Sequence, residues 1–564
     1  MYLNTKARQK NTYDAIVVGS GISGGWAAKE LCEKGLKVLM LERGKPVEHP
    51  NYPTATKDPW ELSHAGKLTR DDIKQCPVQS RHYSYRGDNK SYYINDLENP
   101  YHEEKRFDWI RGDIVGGRSL LWARQCYRLS DLDFEANLKD GIAIDWPIRY
   151  KDIEPWYSYV EKFIGISGQA ENIPHLPDSI FQPPMEMNCA ELDFKQRLNR
   201  FFPDRFVTIG RTANLTEAVK GRGTCQFRNL CHRGCPYGAY FSTNASTLPA
   251  AFATGNLTLR PFSLVNRVLI DERTGRATGV ELVDAETSEV IEYYARILFL
   301  NASTLGTAFI LLNSTSARFP NGLGNGSDQI GRNIMDHHKG AGAYAHVDGF
   351  EGYYYSGRRP NGLYIPRFRN LNERRKDYIR GFGYQGGASR DGWQALANGS
   401  IIGVQLKQMA LEPGPWSIGF SGFGECLPYP SNRVTLNTDL KDKWGRHSLT
   451  THVEFKENEQ AMQLDMANAA AEMLEVCGYQ NVTSYHQISF PGNANHEMGS
   501  ARMGRDPKTS VLNSFNQMHE VSNVFITDGS FMTSSGCANP SLTYMAMTAR
   551  AVDYAVKQVN RGDL

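Results

Sequence analysis

The stretch Asp14-Ala-Ile-Val-Val18-Gly19-Ser-Gly21-Ile-Ser-Gly24 decides the fold of this chain. Asp14 to Val18 is a short apolar run ending at Gly19, the pattern of a buried parallel strand. Ile22 to Lys34 has helical character and stops before Gly35, and Lys37 to Glu42 is a second strand. Together they make a β-α-β unit of about 30 residues. Gly19 permits the tight turn, Gly21 lets backbone amides approach a pyrophosphate, and Gly24 lets the helix pack on the strand. The helix N-terminus favours the phosphate charge. Glu42 ends the second strand about 20 residues further on, where a carboxylate can hold an adenosine ribose. The pattern points to a dinucleotide cofactor and does not separate FAD from NAD.

At 564 residues the chain is too long for one simple core, so two large substructures are expected. Its composition, 40% hydrophobic and 22% charged, allows a sizeable core, and a net charge of +2 lacks the basic excess of a nucleic-acid binder. No apolar run reaches the roughly 18 residues of a membrane span. Met1 to Asn11 is polar without an apolar signal region, so no cleavable signal is expected. That suits a cytoplasmic protein, or one exported folded on a partner's signal.

Beyond the opening unit, residues 50 to 110 are polar and aromatic and read as a surface excursion or lid. Asp152 to Phe163 predicts a helix. Leu257 to Val283 alternates and reads as a β-meander, and Ile297 to Asn301 is another buried strand. Residues 346 to 455 suit an antiparallel sheet, and Glu457 to Val476 an amphipathic helix. The last 40 residues return to α/β, with strand Val524 to Thr527 and helix Ser541 to Gln558. A discontinuous cofactor domain with an inserted substrate domain follows.

Four further motifs carry chemistry. In Gly112-Asp-Ile-Val-Gly116-Gly117-Arg-Ser119-Leu-Leu-Trp122 the paired glycines allow close approach to a ligand. In His496-Glu-Met-Gly499 a histidine able to take a hydroxyl proton near neutral pH lies on a glycine-rich loop, where function concentrates. Thr527-Asp528-Gly529-Ser530 precedes Cys537-Ala-Asn539-Pro540-Ser541, where Asn539 reads as an N-cap and Pro540 as a helix start. That helix N-terminus could face a flavin pyrimidine, where reduction builds negative charge. Finally, Cys225, Cys231 and Cys235 fall within eleven residues and precede Pro236; the other seven of ten cysteines are scattered. Three thiolates could hold an iron–sulfur cluster, could bind zinc with His232, or could be structural.

Taken in order, these motifs resemble the glucose–methanol–choline (GMC) oxidoreductases, together with Ile330-Gly-Arg-Asn-Ile-Met-Asp336-His337 and Asn539-Pro-Ser-Leu-Thr543. The resemblance implies an α/β fold: a Rossmann-like FAD domain over residues 1–345 and 490–564, with a mostly antiparallel substrate domain over 346–489. It implies FAD, with His496 as base and Asn539 as its hydroxyl-positioning partner. Asp528 and Gly529 would line the flavin's phosphate and ribityl chain, and Gly116, Gly117, Ser119, Trp122, Val265, Asn539, Pro540 and Ser541 belong to the same cofactor set. Leu121 stands where some relatives tether the flavin through a histidine, so the FAD is expected to be non-covalent.

Within the family, the spacing Cys225-x5-Cys231-x3-Cys235-Pro resembles the catalytic subunits of bacterial FAD-dependent sugar dehydrogenases. That implies a 3Fe–4S cluster in a loop at about 215–245, by family likeness. It also implies a small accessory subunit bearing an export signal, hence a periplasmic enzyme, and a cytochrome or similar acceptor. The expected reaction is oxidation of a sugar or glycoside hydroxyl, first of all carbon 3 of a glucoside. Carbon 1 of an aldose and carbon 2 of gluconate are the rivals; an oxygen-using alcohol oxidase, and a binding subunit without catalysis, stand further off. Tyr353-Tyr354-Tyr355 is a candidate pyranose-stacking segment.

Overall fold

A computed structural model describes residues 11–354, 359–392, 401–487 and 489–564. Tyr355 and most of the polar N-terminal segment lie outside the described residues.

The opening unit forms strand Thr12–Val18, helix Ile22–Glu33 and strand Val38–Leu41. Ala15, Ile16 and Val17 are wholly buried, as in a strand covered on both faces. Parallel strands Leu257–Arg260, Val38–Leu41, Thr12–Val18 and Val290–Leu300 lie side by side. Val290–Leu300 is long because, besides Thr12–Val18 on one edge, it serves two neighbours on the other. Its first half pairs antiparallel with Arg276–Asp284, and Leu298 to Leu300 pair parallel with Val524–Ile526. Leu257–Arg260 is therefore no part of the expected meander, which consists of Ser263–Asp271, Arg276–Asp284 and the first half of Val290–Leu300. Alternation reports a half-buried strand but not the direction of its neighbour.

The second sheet has six strands, all antiparallel: Gln480–His486, Ala341–Val347, Trp416–Gly424, Phe382–Arg390, Leu363–Ile365 and Thr208–Ile209. Helix Glu457–Val476 covers one face through Met462, Met466, Ala470 and Met473. Ala190, Phe194 and Leu198, from helix Cys189–Phe201, complete that core. The boundaries expected at 346 and 489 do not match these layers. The sheet starts at Ala341 and takes in residues 208–209, whereas Val434, Leu449 and Phe455 pack into the core of the cofactor unit. A two-residue strand has no periodicity to read.

Residues 50 to 110 form short turns around their own cluster of Tyr52, Tyr85, Tyr92 and Tyr93. The strand His102–Glu103 ties them to Thr450 and Thr451. Among the described residues no helix is long and apolar enough to cross a membrane.

Candidate active site

A cavity of about 730 Å³ runs between the two sheets, within the ordinary ligand-pocket range of about 300–1,000 Å³. At one end it is lined by Gly19, Gly21 and Glu42, and at the other by His496, Asn539 and Phe423. Gly117, Ser119, Trp122, Val265, Asp528, Gly529 and Ser541 also face it; Gly24, Gly116 and Pro540 do not.

The glycines of the first motif divide by what surrounds them. A Cβ on Gly24 would stand 1.8 Å from the carbonyl oxygen of Gly19, so that glycine serves helix–strand packing. A Cβ on Gly21 would meet no protein atom within 4 Å and would enter the cavity. Gly21 also caps helix Ile22–Glu33 with no side chain, leaving the first amides for a ligand. The same region holds Glu42, whose carboxylate accepts from Ser20 N and Oγ (2.9 and 2.6 Å) and from Gly44 N (2.8 Å). Burial pushes its pKa up, while those three bonds favour the charged form. Ser20 Oγ in turn accepts from Gly116 N at 2.7 Å, which fastens the second motif to the first. The residues thus fit an FAD: a cradle for the pyrophosphate, a carboxylate beyond it, and a cavity long enough to reach His496. Leu121 lines that cavity, and no histidine occupies the tethering position.

His496 is placed by three separate restraints. Met335 and Met498 exchange backbone hydrogen bonds at 2.9 Å in an antiparallel bridge, which brings His337 opposite His496. Asp336, fully buried, accepts from the amides of Gly492, Ala494 and His496 at 2.8 to 3.1 Å. Arg118 grips Glu497 with both terminal nitrogens, at 3.1 and 2.7 Å. The loop carrying the histidine is therefore rigid although it is irregular.

Its protonation follows from its neighbours. His337 Nε2 lies 2.8 Å from the Gly536 carbonyl, which only accepts, so that nitrogen carries the proton. Burial pushes the His337 pKa down to about 4, so its Nδ1 is a free acceptor at neutral pH. His496 Nδ1 donates to it at 2.9 Å. The lone pair of His496 is thereby left on Nε2, at the cavity. Burial, helped by the charges of Lys339 and Arg118, holds the His496 pKa well below 6.5, so the ring is neutral and ready to accept.

Asn539 Nδ2 donates to His496 Nε2 at 3.3 Å, and its Oδ1 accepts from Gln385 Nε2 at 2.5 Å. Helix Ser541–Arg561 has Pro540, not Asn539, at its N-cap. The expected capping role of Asn539 is corrected accordingly: its amide is engaged by His496 and Gln385. Sequence reasoning assigned no role to His337, Asp336 or Gln385. His337 and Asp336 were visible inside a quoted motif; nothing in the sequence signalled Gln385.

The three clustered cysteines line a separate recess of about 180 Å³. The two spaces share Tyr83, Ser84, Leu121, Trp122, Ala123 and Arg124 as a common wall. All three are free thiols, half-buried, and the Cys225 thiol is pushed up by burial and by Cys231 and Cys235 beside it. Among the described residues no group of three or more His, Cys, Asp and Glu side chains is arranged to hold a metal ion. The metal centre expected at Cys225, Cys231 and Cys235 thus has no support from the side-chain arrangement. His232 does not supply a fourth ligand either: its Nε2 meets Asp88 at 2.9 Å, beside the Arg233–Asp88 ion pair.

GMC oxidoreductase family models match residues 13–339 and 428–548. The chain is 29% identical to the 2-methyl-1,2-propanediol dehydrogenase of Mycolicibacterium austroafricanum, over 96% of this chain and 94% of that one. It is 25% identical to the fructose dehydrogenase large subunit of Gluconobacter japonicus, over 97% and 98% respectively. A variant of the formate oxidase of Aspergillus oryzae RIB40 superposes with a TM-score of 0.61 at 13% identity, covering 98% of this chain and 99% of that one. The chain belongs to the GMC oxidoreductase family, and it is an FAD-dependent oxidoreductase acting on CH–OH groups.

Proposed function

We propose that this enzyme oxidises a hydroxyl of a sugar or glycoside, with carbon 3 of a glucoside as the first candidate and aldose carbon 1 or gluconate carbon 2 as rivals. The observation that carries the proposal is the His337–His496–Asn539 chain at the cavity wall. It leaves one neutral imidazole nitrogen as proton acceptor, beside one amide that can orient a hydroxyl. His496 Nε2 takes the hydroxyl proton, and the electron pair of the O–H bond becomes the new C=O π bond as hydride leaves the carbon. Bound FAD supplies the two-electron acceptor for that hydride. Asn539 holds the alcohol oxygen in line, and Gln385 keeps its amide from flipping. Phe423, 6.3 Å ring to ring from His496, keeps that end of the cavity apolar. The family likeness to fructose dehydrogenase supports a sugar as substrate.

The onward path for electrons is part of the same proposal. We place a 3Fe–4S cluster on Cys225, Cys231 and Cys235, and a cytochrome or similar acceptor outside it. A cluster supplies one-electron relay. It spreads three thiolates over three irons, so it does not need the convergence on one atom that a single ion does. Support comes from the shared wall between the two spaces, and from a loop that adopts left-handed backbone at Phe227 and Asn229 around the recess. The name of the fructose dehydrogenase relative, a large subunit, supports a smaller partner; export to the periplasm on that partner's signal is part of the same proposal. The test is a dye-reduction screen of FAD-loaded protein against free sugars and glycosides, with iron assayed on the same sample. Dye reduction by sugars with about three irons per chain is expected. Stoichiometric zinc without iron would remove the relay, and reduction by simple alcohols alone would remove the sugar.

A further inference from the structure

Seven cationic side chains line the large cavity. Five of them, Arg43, Arg81, Arg111, Arg118 and Arg446, each meet a carboxylate oxygen at 2.7 to 3.4 Å. The other two, Lys339 and Arg124, form no ion pair among the described residues. The carboxylates nearest Lys339 are already occupied. Asp336 accepts three backbone amides, and Asp108 is held by Arg81, Arg106 and Asn493. Arg124 donates from Nη1 to the Trp122 carbonyl at 2.6 Å, but its Nε is buried without a partner, and its backbone is left-handed at φ 64°.

Both cations line the same cavity as Tyr83. Lys339 Nζ stands 4.8 Å from the ring centre of Tyr83, and the Arg124 charge acts on the Tyr83 hydroxyl. Tyr83 is 70% exposed and lines the cavity, so its ring is available to a ligand there. Lys339 follows His337, the partner of His496, by two residues and lines the same cavity as His496, which puts it near the reacting hydroxyl. Partial burial lowers the lysine to about 8, so it stays largely charged at neutral pH. Among the described residues both cations have aromatic neighbours, Tyr83 for Lys339 and Tyr240 at 5.5 Å for Arg124, but no anionic partner, so a ligand carboxylate would complete the site.

We propose that Lys339 and Arg124 recognise an anionic group on the substrate, making the substrate a sugar acid rather than a neutral sugar or glucoside. The proposal rests on the sugar-oxidation reading and narrows it. Tyr83, which lines the same cavity, offers ring surface to the sugar, and the carboxylate is held while His496 meets a hydroxyl of the same molecule.

The test uses the FAD-loaded enzyme. Binding of gluconate and glucuronate is compared with that of glucose and methyl glucoside by calorimetry at pH 7. Flavin bleaching by each compound is followed separately without oxygen. The wild type should bind the acids more tightly. Lys339→Met and Arg124→Met should each weaken the acids about ten- to hundredfold, well beyond any loss for the neutral sugars. Lys339→Arg, which keeps the charge, should recover most of the acid binding and shows that the site folds. A wild type without preference for acids, or variants that lose acids and neutral sugars alike, would overturn the proposal and assign the cations to the flavin. Acid binding that depends on both cations, without bleaching by any sugar, would sustain the anion site and sink the sugar-oxidation reading instead.

Discussion

The two spaces that meet at Tyr83, Leu121 and Trp122 are built in opposite ways. The large cavity is framed by two sheets, and its key polar groups are already bound to one another: Glu42 to Ser20 and Gly44, His496 to His337, Glu497 to Arg118. The cysteine recess is walled on its cysteine side by a loop with left-handed residues at Phe227 and Asn229. Gly234, also left-handed, is obligatory there because a Cβ would come within 2.4 Å of the Tyr52 ring. Its cohesion comes mainly from Asp88, which gathers His232 and Arg233. A preorganised frame keeps its geometry without a ligand; a loop of this kind depends more on what its thiols hold. Substitutions in the two regions should therefore fail differently.

The largest effect belongs to the frame. His496→Ala removes the proposed base but leaves the FAD cradle intact, so the protein should stay yellow while flavin reduction falls about 10²- to 10⁴-fold. Stopped-flow bleaching at wild-type speed would show that another group takes the proton. His337→Phe is expected to cost less than His496→Ala and more than tenfold, because His496 then loses the acceptor that fixes its tautomer.

Next comes the loop. If the proposed cluster occupies the thiols, Cys231→Ser should abolish its iron signal and slow transfer to an external acceptor by about tenfold or more, while a single anaerobic turnover still bleaches the flavin. Hydrogen exchange should rise across residues 225–238 and stay unchanged around His496. Equal loosening of both regions would erase the contrast between them.

A finer contrast lies inside the first motif. Gly24→Ala should destabilise the fold by about 1–3 kcal/mol, since its Cβ would press on the Gly19 carbonyl. Gly21→Ala should leave apoenzyme stability within about 0.5 kcal/mol of wild type and instead lower FAD occupancy. Thermal melts and bound-flavin ratios measure the two losses separately. If both variants lost stability equally, Gly21 would be a packing residue like its neighbour.

This division explains what could be read in the chain and what could not. The Gly19–Gly24 pattern is legible because the steric demand is local: turn, approach and packing fall within six residues. The same holds for helix Glu457–Val476, whose apolar spacing gave its bounds. The direction of Leu257–Arg260 was not legible, because a partner 219 residues away sets it. Strand Thr208–Ile209 was too short to carry a period. Asn539 was displaced by one position in the helix start, and that single step changes it from a cap to a partner of His496. His337 and Gln385 act through contacts spanning 159 and 154 residues, which no local spacing encodes. The density of the cysteines was plain in the sequence; what occupies them was not, since three thiols suit more than one guest.

The smallest expected effect is on pH dependence, and it sharpens the account of the frame. His496 must be neutral to act as a base. An imidazole with the ordinary value near 6.5 would be about nine-tenths protonated at pH 5.5, costing about tenfold in rate. Burial and the neighbouring positive charges move His496 well below 6.5, so its neutral form persists at pH 5.5. One neighbour titrates in between: burial raises Asp336 to about 7. Gaining a proton there weakens a carboxylate that accepts the His496 amide, but a neutral carboxyl can still accept through its carbonyl oxygen. Flavin reduction between pH 7.5 and 5.5 should therefore decline by much less than tenfold. A decline proportional to proton concentration below pH 6.5, present in wild type and absent in His496→Ala, would mean that His496 titrates like a solvated imidazole. The burial and tautomer argument for its role would then fail.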